Sequence, residues 1–222
     1  MTFDFSALLP YGEDFLSALG LTMALSLSAF VISGVLAAIL LPARMSSNGI
    51  LRWGTWLYVD VLRNVPVLLV LYVVFFALPQ IGIKTDSWVA AVVALSFNST
   101  AYLVEIYRGG LNAIPQGRYE AAEALNLSAT TRWVRILLPE ALRTAYPAIG
   151  NQLVACILGS SLAVLIGAGE LTSLAYTAGS TTFRYFESFI TVAIVYVVIV
   201  QVVGFAWRAL GKRVIKQNAK VV

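Results

Sequence analysis

Five stretches free of charged residues, at 15–43, 64–83, 87–104, 144–169 and 188–207, set the terms for this 222-residue chain. Crossing the hydrocarbon of a bilayer takes roughly 20 mostly apolar residues, and a helix is the way one segment satisfies its own backbone there. Each stretch reaches that length or falls short by less than one turn. With their flanks they predict five membrane-spanning helices, at about 15–43, 57–79, 87–107, 144–168 and 187–208, in one transmembrane domain covering 1–222. The expected fold class is therefore an all-α membrane protein. Composition agrees, since 12% of residues are charged, against roughly 25% in soluble domains.

Charge sets the expected orientation. The amino-terminal region carries Asp4, Glu13 and Asp14 with no Lys or Arg before Arg44, so the first span reads as an uncleaved anchor. Twelve basic residues flank the spans on one side: Arg44, Arg52, Arg108, Arg118, Arg132, Arg135, Arg143, Arg208, Lys212, Arg213, Lys216 and Lys220. Two, Lys84 and Arg184, fall on the other, with Arg63 unassigned. The positive-inside rule makes the first side cytoplasmic, with the amino terminus outside and the carboxyl terminus inside. The net charge of +4 is thus a matter of topology, and with no aromatic-interleaved basic stripe no nucleic-acid partner is expected.

Several chemistries are excluded by what the chain lacks. There is no histidine, which removes Ser-His catalysis and imidazole ligation, so no metal site is expected. Cys156 stands alone in an apolar run and reads as a packing residue. Gly211-Lys212 lacks the earlier glycine and the following Ser or Thr of a phosphate-cradling loop. The chain is not expected to be an enzyme, and nucleotide chemistry must reside on another chain.

Between the third and fourth spans, 108–143 is too charged to cross a bilayer. Glu120 to Leu125 is strong helix-forming sequence, and Asn126 follows where a helix closing in the left-handed conformation takes Gly or Asn. Ser128 is placed to cap a second helix, expected to stop near Pro139. The prediction is a helix-turn-helix held at the membrane surface. Here the chain resembles the permease subunits of bacterial ABC importers, whose loop reads Glu-Ala-Ala, three residues, Gly, nine residues, Ile, one residue, Leu-Pro. Glu120, Ala121, Ala122, Ile136, Leu138 and Pro139 match in register, with Asn126 in place of the glycine. The alternative is an interfacial hairpin with no partner.

Polar groups at membrane depth are the other candidates. Asp60 and Arg63 are three apart and suited to pairing on one helical face. Pro66 removes a backbone donor, and either a structural kink or a lining of the transport route accounts for it. Arg63-Asn64-Val65-Pro66 is similar to the Arg-Gly-Thr-Pro element of polar amino-acid permeases, with its middle two residues changed. Asn98, Tyr102 and Glu105 share one helical face, open to substrate contact or to polar glue between helices. The segment 101–115 resembles the lead-in to the loop in the same subfamily. In the fourth span Gln152, Cys156 and Ser160 form a small polar stripe, with Gly159 and Ser161 adjoining, suited to packing against the same helix of a second subunit. Many relatives carry Lys-Asp-Thr-Ser-Leu here, whereas this chain has Leu158-Gly159-Ser160-Ser161-Leu162 and lacks that carboxylate. The outside loop after Gly169 is long enough for a short surface helix.

The resemblance implies an ABC type I importer permease moving a polar amino acid, or a derivative such as an opine, across the bacterial inner membrane. It implies an ABC ATPase subunit that binds ATP and Mg, a second permease as homodimer or heterodimer, an external solute-binding protein, and surrounding lipid. Glu120, Ala121, Ala122, Asn126, Ile136, Leu138 and Pro139 would couple to the ATPase. Arg63, Pro66, Asn98, Tyr102, Glu105, Ser160 and Ser161 would line the route. From the residues alone, a self-sufficient carrier or channel and a structural scaffold stay open. An intramembrane enzyme is weakest, as no lysine lies within a span.

Overall fold

A computed structural model describes residues 3–218; Lys220, counted above in the basic tail, lies outside them. Among the described residues four helical runs are long and apolar enough to span a membrane: Phe5–Arg44, Ser87–Asn112, Ala129–Ile166 and Tyr185–Arg213. A fifth candidate, Gly49–Asn64 with Val67–Ile81, is apolar enough only as a pair and is bent by 107° at the break. The helices are α1 (Gly12–Arg44), α2 (Gly49–Asn64), α3 (Val67–Tyr72), α4 (Ser87–Asn112), α5 (Gln116–Ala124), α6 (Ala129–Thr131), α7 (Leu138–Ser160), α8 (Leu171–Thr182) and α9 (Tyr185–Asn218). The break falls at Pro66, where the sequence offered a kink inside the expected 57–79 span. Pro66 lacks the N–H that would continue α2, and Val65 before it is extended at φ −94° and ψ 130°.

The long helices alternate in direction. Arg44 of α1 meets Glu105 of α4, and Trp207 of α9 meets Tyr146 of α7, at one end. Ser87 reaches the Gly167 carbonyl, and Asp4 reaches Glu187, at the other. The first is called the basic end below. Helix α4 is central and packs along α1, whose buried face carries small residues, Ala18, Thr22, Ser26, Ala29, Ser33 and Ala37; Ala29 packs with Ala90, Ala91 and Ala94 of α4, while Ala18 and Thr22 turn to α8. Small side chains let the two backbones approach closely, as apolar helices in lipid require to gain dispersion contact. The hydroxyls in this seam are satisfied within their own helices, Thr22 by Ala18 O at 2.9 Å and Ser26 by Thr22 O at 2.7 Å. The opposite face of α1, with Leu16, Val31, Val35 and Ile39, is exposed and apolar.

Two details of α7 depart from expectation. The stripe Gln152, Cys156 and Ser160 does not wait for a second subunit. It is buried inside this chain against α4, where Gln152 donates to Ser99 Oγ at 3.1 Å and Ser99 meets Cys156 Sγ at 3.0 Å. Nor does the second loop helix stop at Pro139. From α6 the chain passes through a π turn, Arg132–Leu137, straight into α7. The wide turn carries Leu138 N–H to the Trp133 carbonyl, so the proline ring meets a helix already opened where it would clash with an i−4 carbonyl. Toward the basic end, a Cβ on Gly150 would collide with Trp207, whose ring is stacked on Tyr146 at 4.7 Å.

Candidate functional site

The break after α2 frees helix-end carbonyls, and α4 supplies their partners. Leu62 O would normally accept from residue 66, which is proline. Asn98 donates its amide to that carbonyl at 2.9 Å, and Tyr102 OH donates to the next, Arg63 O, at 3.2 Å. Arg63 does not pair with Asp60. Its guanidinium lies over the Tyr102 ring, 5.5 Å from the centroid, while Asp60 receives Asn64 through its carbonyl at 2.8 Å. The helical ladder places Asn98 and Tyr102 on one face, and that face points at the broken end of α2. In lipid each unmet carbonyl is costly, so the break persists because α4 closes it. Replacing Asn98 with leucine is expected to leave Leu62 O unpaired and destabilise the protein by about 1–3 kcal/mol. A thermal unfolding midpoint equal to that of the parent protein would contradict this.

Glu105, one turn further along α4, is held by two arginines. Arg44 Nε approaches Oε1 at 3.0 Å and Arg108 Nε approaches Oε2 at 2.9 Å. The clamp joins the last turn of α1 to α4, and one carboxylate shared by two guanidiniums leaves the cluster positive. Its side chains are 14% exposed for Glu105 and 17% for Arg44.

At the other end Glu170 is fully buried. Its carboxylate accepts from Thr172 N at 2.8 Å, Ser173 N at 2.9 Å and Tyr196 OH at 2.8 Å, while Thr22 Oγ1 accepts from Leu171 N at 3.1 Å. Every free N–H at the start of α8 is thereby met. Sequence reading passed over this residue, although an acid directly before Leu-Thr-Ser is the available signal. Burial raises the Glu170 pKa above its ordinary value despite the opposing backbone hydrogen bonds. A raised folded-state pKa means the folded protein holds the proton more tightly than the unfolded chain. Stability is then fullest at acidic pH and falls as pH rises from the ordinary carboxylate range through the raised value. Glu170→Gln should flatten that part of the pH–stability curve and lower stability at neutral pH, because one amide oxygen cannot accept all three donors. An unchanged slope in a pH series of melting curves would show that Glu170 does not titrate there. Ser160 is buried beneath this region and donates to Ile157 O at 2.7 Å, while the half-buried Ser161 donates to Leu158 O at 2.7 Å.

The hairpin at the basic end forms as its residues require. Helix α5 closes with Leu127 N to Ala122 O at 3.4 Å and Asn126 N to Glu123 O at 2.8 Å, with Asn126 left-handed at φ 49°. This is the six-to-one and five-to-two pattern of a helix ended by a glycine-like residue. Ser128 then caps Thr131 N. The matched residues divide by burial. Ala122 is 2% exposed, and Ile136 packs with Leu111, Ile114, Leu137 and Ala141 under the hairpin. Glu120, Ala121 and Asn126 face outward, joined by Leu125 at 71% exposure, which the sequence did not mark, while Leu138 is exposed and Pro139 half-buried. Arg118 Nε to Glu140 at 3.5 Å ties α5 to the start of α7.

The fold and site define a multi-span helical membrane protein with a broken span and a hairpin presented outward at its basic end. A family profile described as the binding-protein-dependent transport system inner membrane component matches residues 29–216. The arginine transport system permease protein ArtQ of Bacillus subtilis is 36% identical over 219 residues, 98% of this chain and all of that protein. A putative glutamine transport system permease protein GlnP of Rickettsia bellii is 31% identical, covering 88% of this chain and 90% of its own. Among solved structures, an amino acid ABC transporter crystallised with histidines superposes with a TM-score of 0.90 at 30% identity, over 96% of this chain and all of the other. The inward-facing methionine transporter MetNI, at 22% identity and a TM-score of 0.76, shares the fold. The chain belongs to the family of binding-protein-dependent transport system inner membrane components. It is a permease subunit of an ABC importer.

Proposed function

We propose that the cargo is a polar amino acid or an amino-acid derivative such as an opine. The permease would act in a bacterial cytoplasmic membrane, with its amino terminus outside and its carboxyl terminus in the cytoplasm. The observation that carries the coupling part of this reading is the hairpin. Its outward residues, Glu120, Ala121, Glu123 and Leu125, form a small mixed face on a rigid, fully capped turn, while Ala122 and Ile136 bind that face to the membrane helices. An ABC ATPase subunit carrying ATP and Mg docks there, with Asn126 shaping the turn and Leu138 and Pro139 passing the motion into α7. Because α6, the π turn and α7 are continuous, a push on the hairpin becomes a tilt of a membrane-spanning helix. A second permease subunit pairs with this one, and an external solute-binding protein delivers cargo to the end opposite the hairpin.

Arg63, Pro66, Asn98, Tyr102 and Glu105 border the route, with Ser160 and Ser161 at its outer end. The amino-acid reading is supported by the full-length similarity to permeases named for arginine and glutamine transport. Gly159 offers no carboxylate to the route, and a side chain there would press on Leu95. Recognition of a cationic cargo group would then depend on other polar atoms. The test is reconstitution in liposomes with a labelled set of amino acids, with and without the copurifying ATPase. Uptake that needs the ATPase and internal or external ATP supports the reading. Uptake by this chain alone would establish the self-sufficient carrier instead.

A further inference from the structure

Beside the Glu105 clamp, the connection from α1 to α2 borders an open pocket. A cavity of about 370 Å³ at the basic end is lined by Arg44, Gly49, Arg52, Trp53 and Trp56. Asn48 caps the start of α2, accepting from Ile50 N at 3.0 Å, next to the lining residue Gly49. Arg52 forms no ion pair among the described residues. Arg44 shares its carboxylate, Glu105, with Arg108, so the three charges around Glu105 leave one positive charge in excess and Arg52 adds a second. The lining Trp53 and Trp56 are 62% and 43% exposed, and Ile50 and Leu51 in the same first turns of α2 are exposed at 82% and 51%. An unpaired guanidinium, a second one half engaged, two indoles and an apolar rim ask for a ligand with an anionic head and hydrocarbon attached.

We infer that this cavity binds the phosphate headgroup of an anionic membrane phospholipid. The guanidinium of Arg52 meets the phosphate, Arg44 adds charge from the side, and Trp53 and Trp56 sit at the glycerol level where indoles are stable between water and hydrocarbon. The acyl chains run over the exposed apolar flank of α1 and α2. Charge complementarity favours lipid over a protein partner, because the rim is hydrocarbon-compatible and the site lies in a chain that spans the membrane. A consequence follows for the transport fold: the lipid steadies the turn between α1 and α2 next to the Glu105 clamp. The inference does not depend on the cargo.

The experiment uses the intact permease–ATPase complex and native mass spectrometry, with titrations of phosphatidylglycerol, phosphatidylethanolamine and soluble glycerol 3-phosphate. One phosphatidylglycerol per permease chain should be retained in preference to phosphatidylethanolamine. Arg52→Ala should weaken it about fivefold, the effect of one basic residue at an anionic surface, and Arg52→Lys should restore most of it. Because Arg52 is exposed, the unfolding midpoint in detergent should not move, and that control separates lost binding from lost fold. Equal retention of both lipids, or no response to Arg52→Ala, would overturn the inference. Displacement by glycerol 3-phosphate at the concentration that works for the lipid would assign the site to a free phosphate compound. Protection of Trp53 and Trp56 by a second protein chain in lipid-free complex would assign it to a subunit interface.

Discussion

Ala121→Glu is expected to remove ATP-driven uptake while the permease still inserts and folds. Ala121 faces outward on α5, so a larger side chain meets no neighbour in this chain, and on the proposed reading the docked ATPase is the surface it would strike. A well-placed interface residue carries 2 kcal/mol or more, which predicts a loss of roughly 30-fold in complex affinity or coupled transport. The neighbouring change separates the two roles of the motif. Ala122 is 2% exposed, and Ala122→Glu should damage the hairpin itself and lower the amount of folded protein. Measurement of uptake alongside folded yield for both variants distinguishes them. If Ala121→Glu transports normally, the outward face of α5 is not where force enters.

Glu105→Ala should be the most destabilising single change in the membrane core. It leaves Arg44 and Arg108 facing each other with no carboxylate between them, at a site where Arg44 is 17% exposed. Breaking a buried pair costs about 3–5 kcal/mol, and the partial exposure of Arg108 puts the expected loss near the lower end. Glu105→Asp should recover part of it. The readouts are folded yield and melting midpoint, followed by transport for whatever protein remains. A variant with full stability and a changed substrate affinity would instead assign Glu105 directly to the cargo.

The hairpin was legible because its signals are local. A helix former run, a left-handed Asn and a Ser cap act within a few residues, and the turn at Asn126 formed as read. Spans were legible because lipid imposes one length on every crossing. Pro139 was misread for a reason also local in origin but resolved at longer range. The usual exclusion of proline from helix interiors assumes α spacing, and the π turn at Arg132–Leu137 removes that assumption. At Pro66 the opposite occurred. The sequence pointed to a kink at a proline that lacks a donor, but only the fold could show that Asn98 and Tyr102 donate to the carbonyls it leaves free.

Some residues had the right face and an unforeseen neighbour. Gln152, Cys156 and Ser160 do form a stripe, as their spacing of four requires, yet a stripe does not say which helix it meets. Glu105 announced a polar environment without naming Arg44, which is 61 positions away. Glu170 and Tyr196 are 26 apart and Leu171 bonds Thr22 at a separation of 149, distances over which periodicity carries no information.

The sequence by itself determined the helical class, the membrane setting, the two differently charged ends and the hairpin, because hydrocarbon thickness, charge and capping act on short segments. The tertiary structure decided which polar groups satisfy one another, where the second crossing bends, and that the hairpin is fused to α7. Those outcomes depend on long-range contacts: a buried donor takes whichever acceptor the packing of distant helices brings within hydrogen-bond reach, and no local rule specifies that partner.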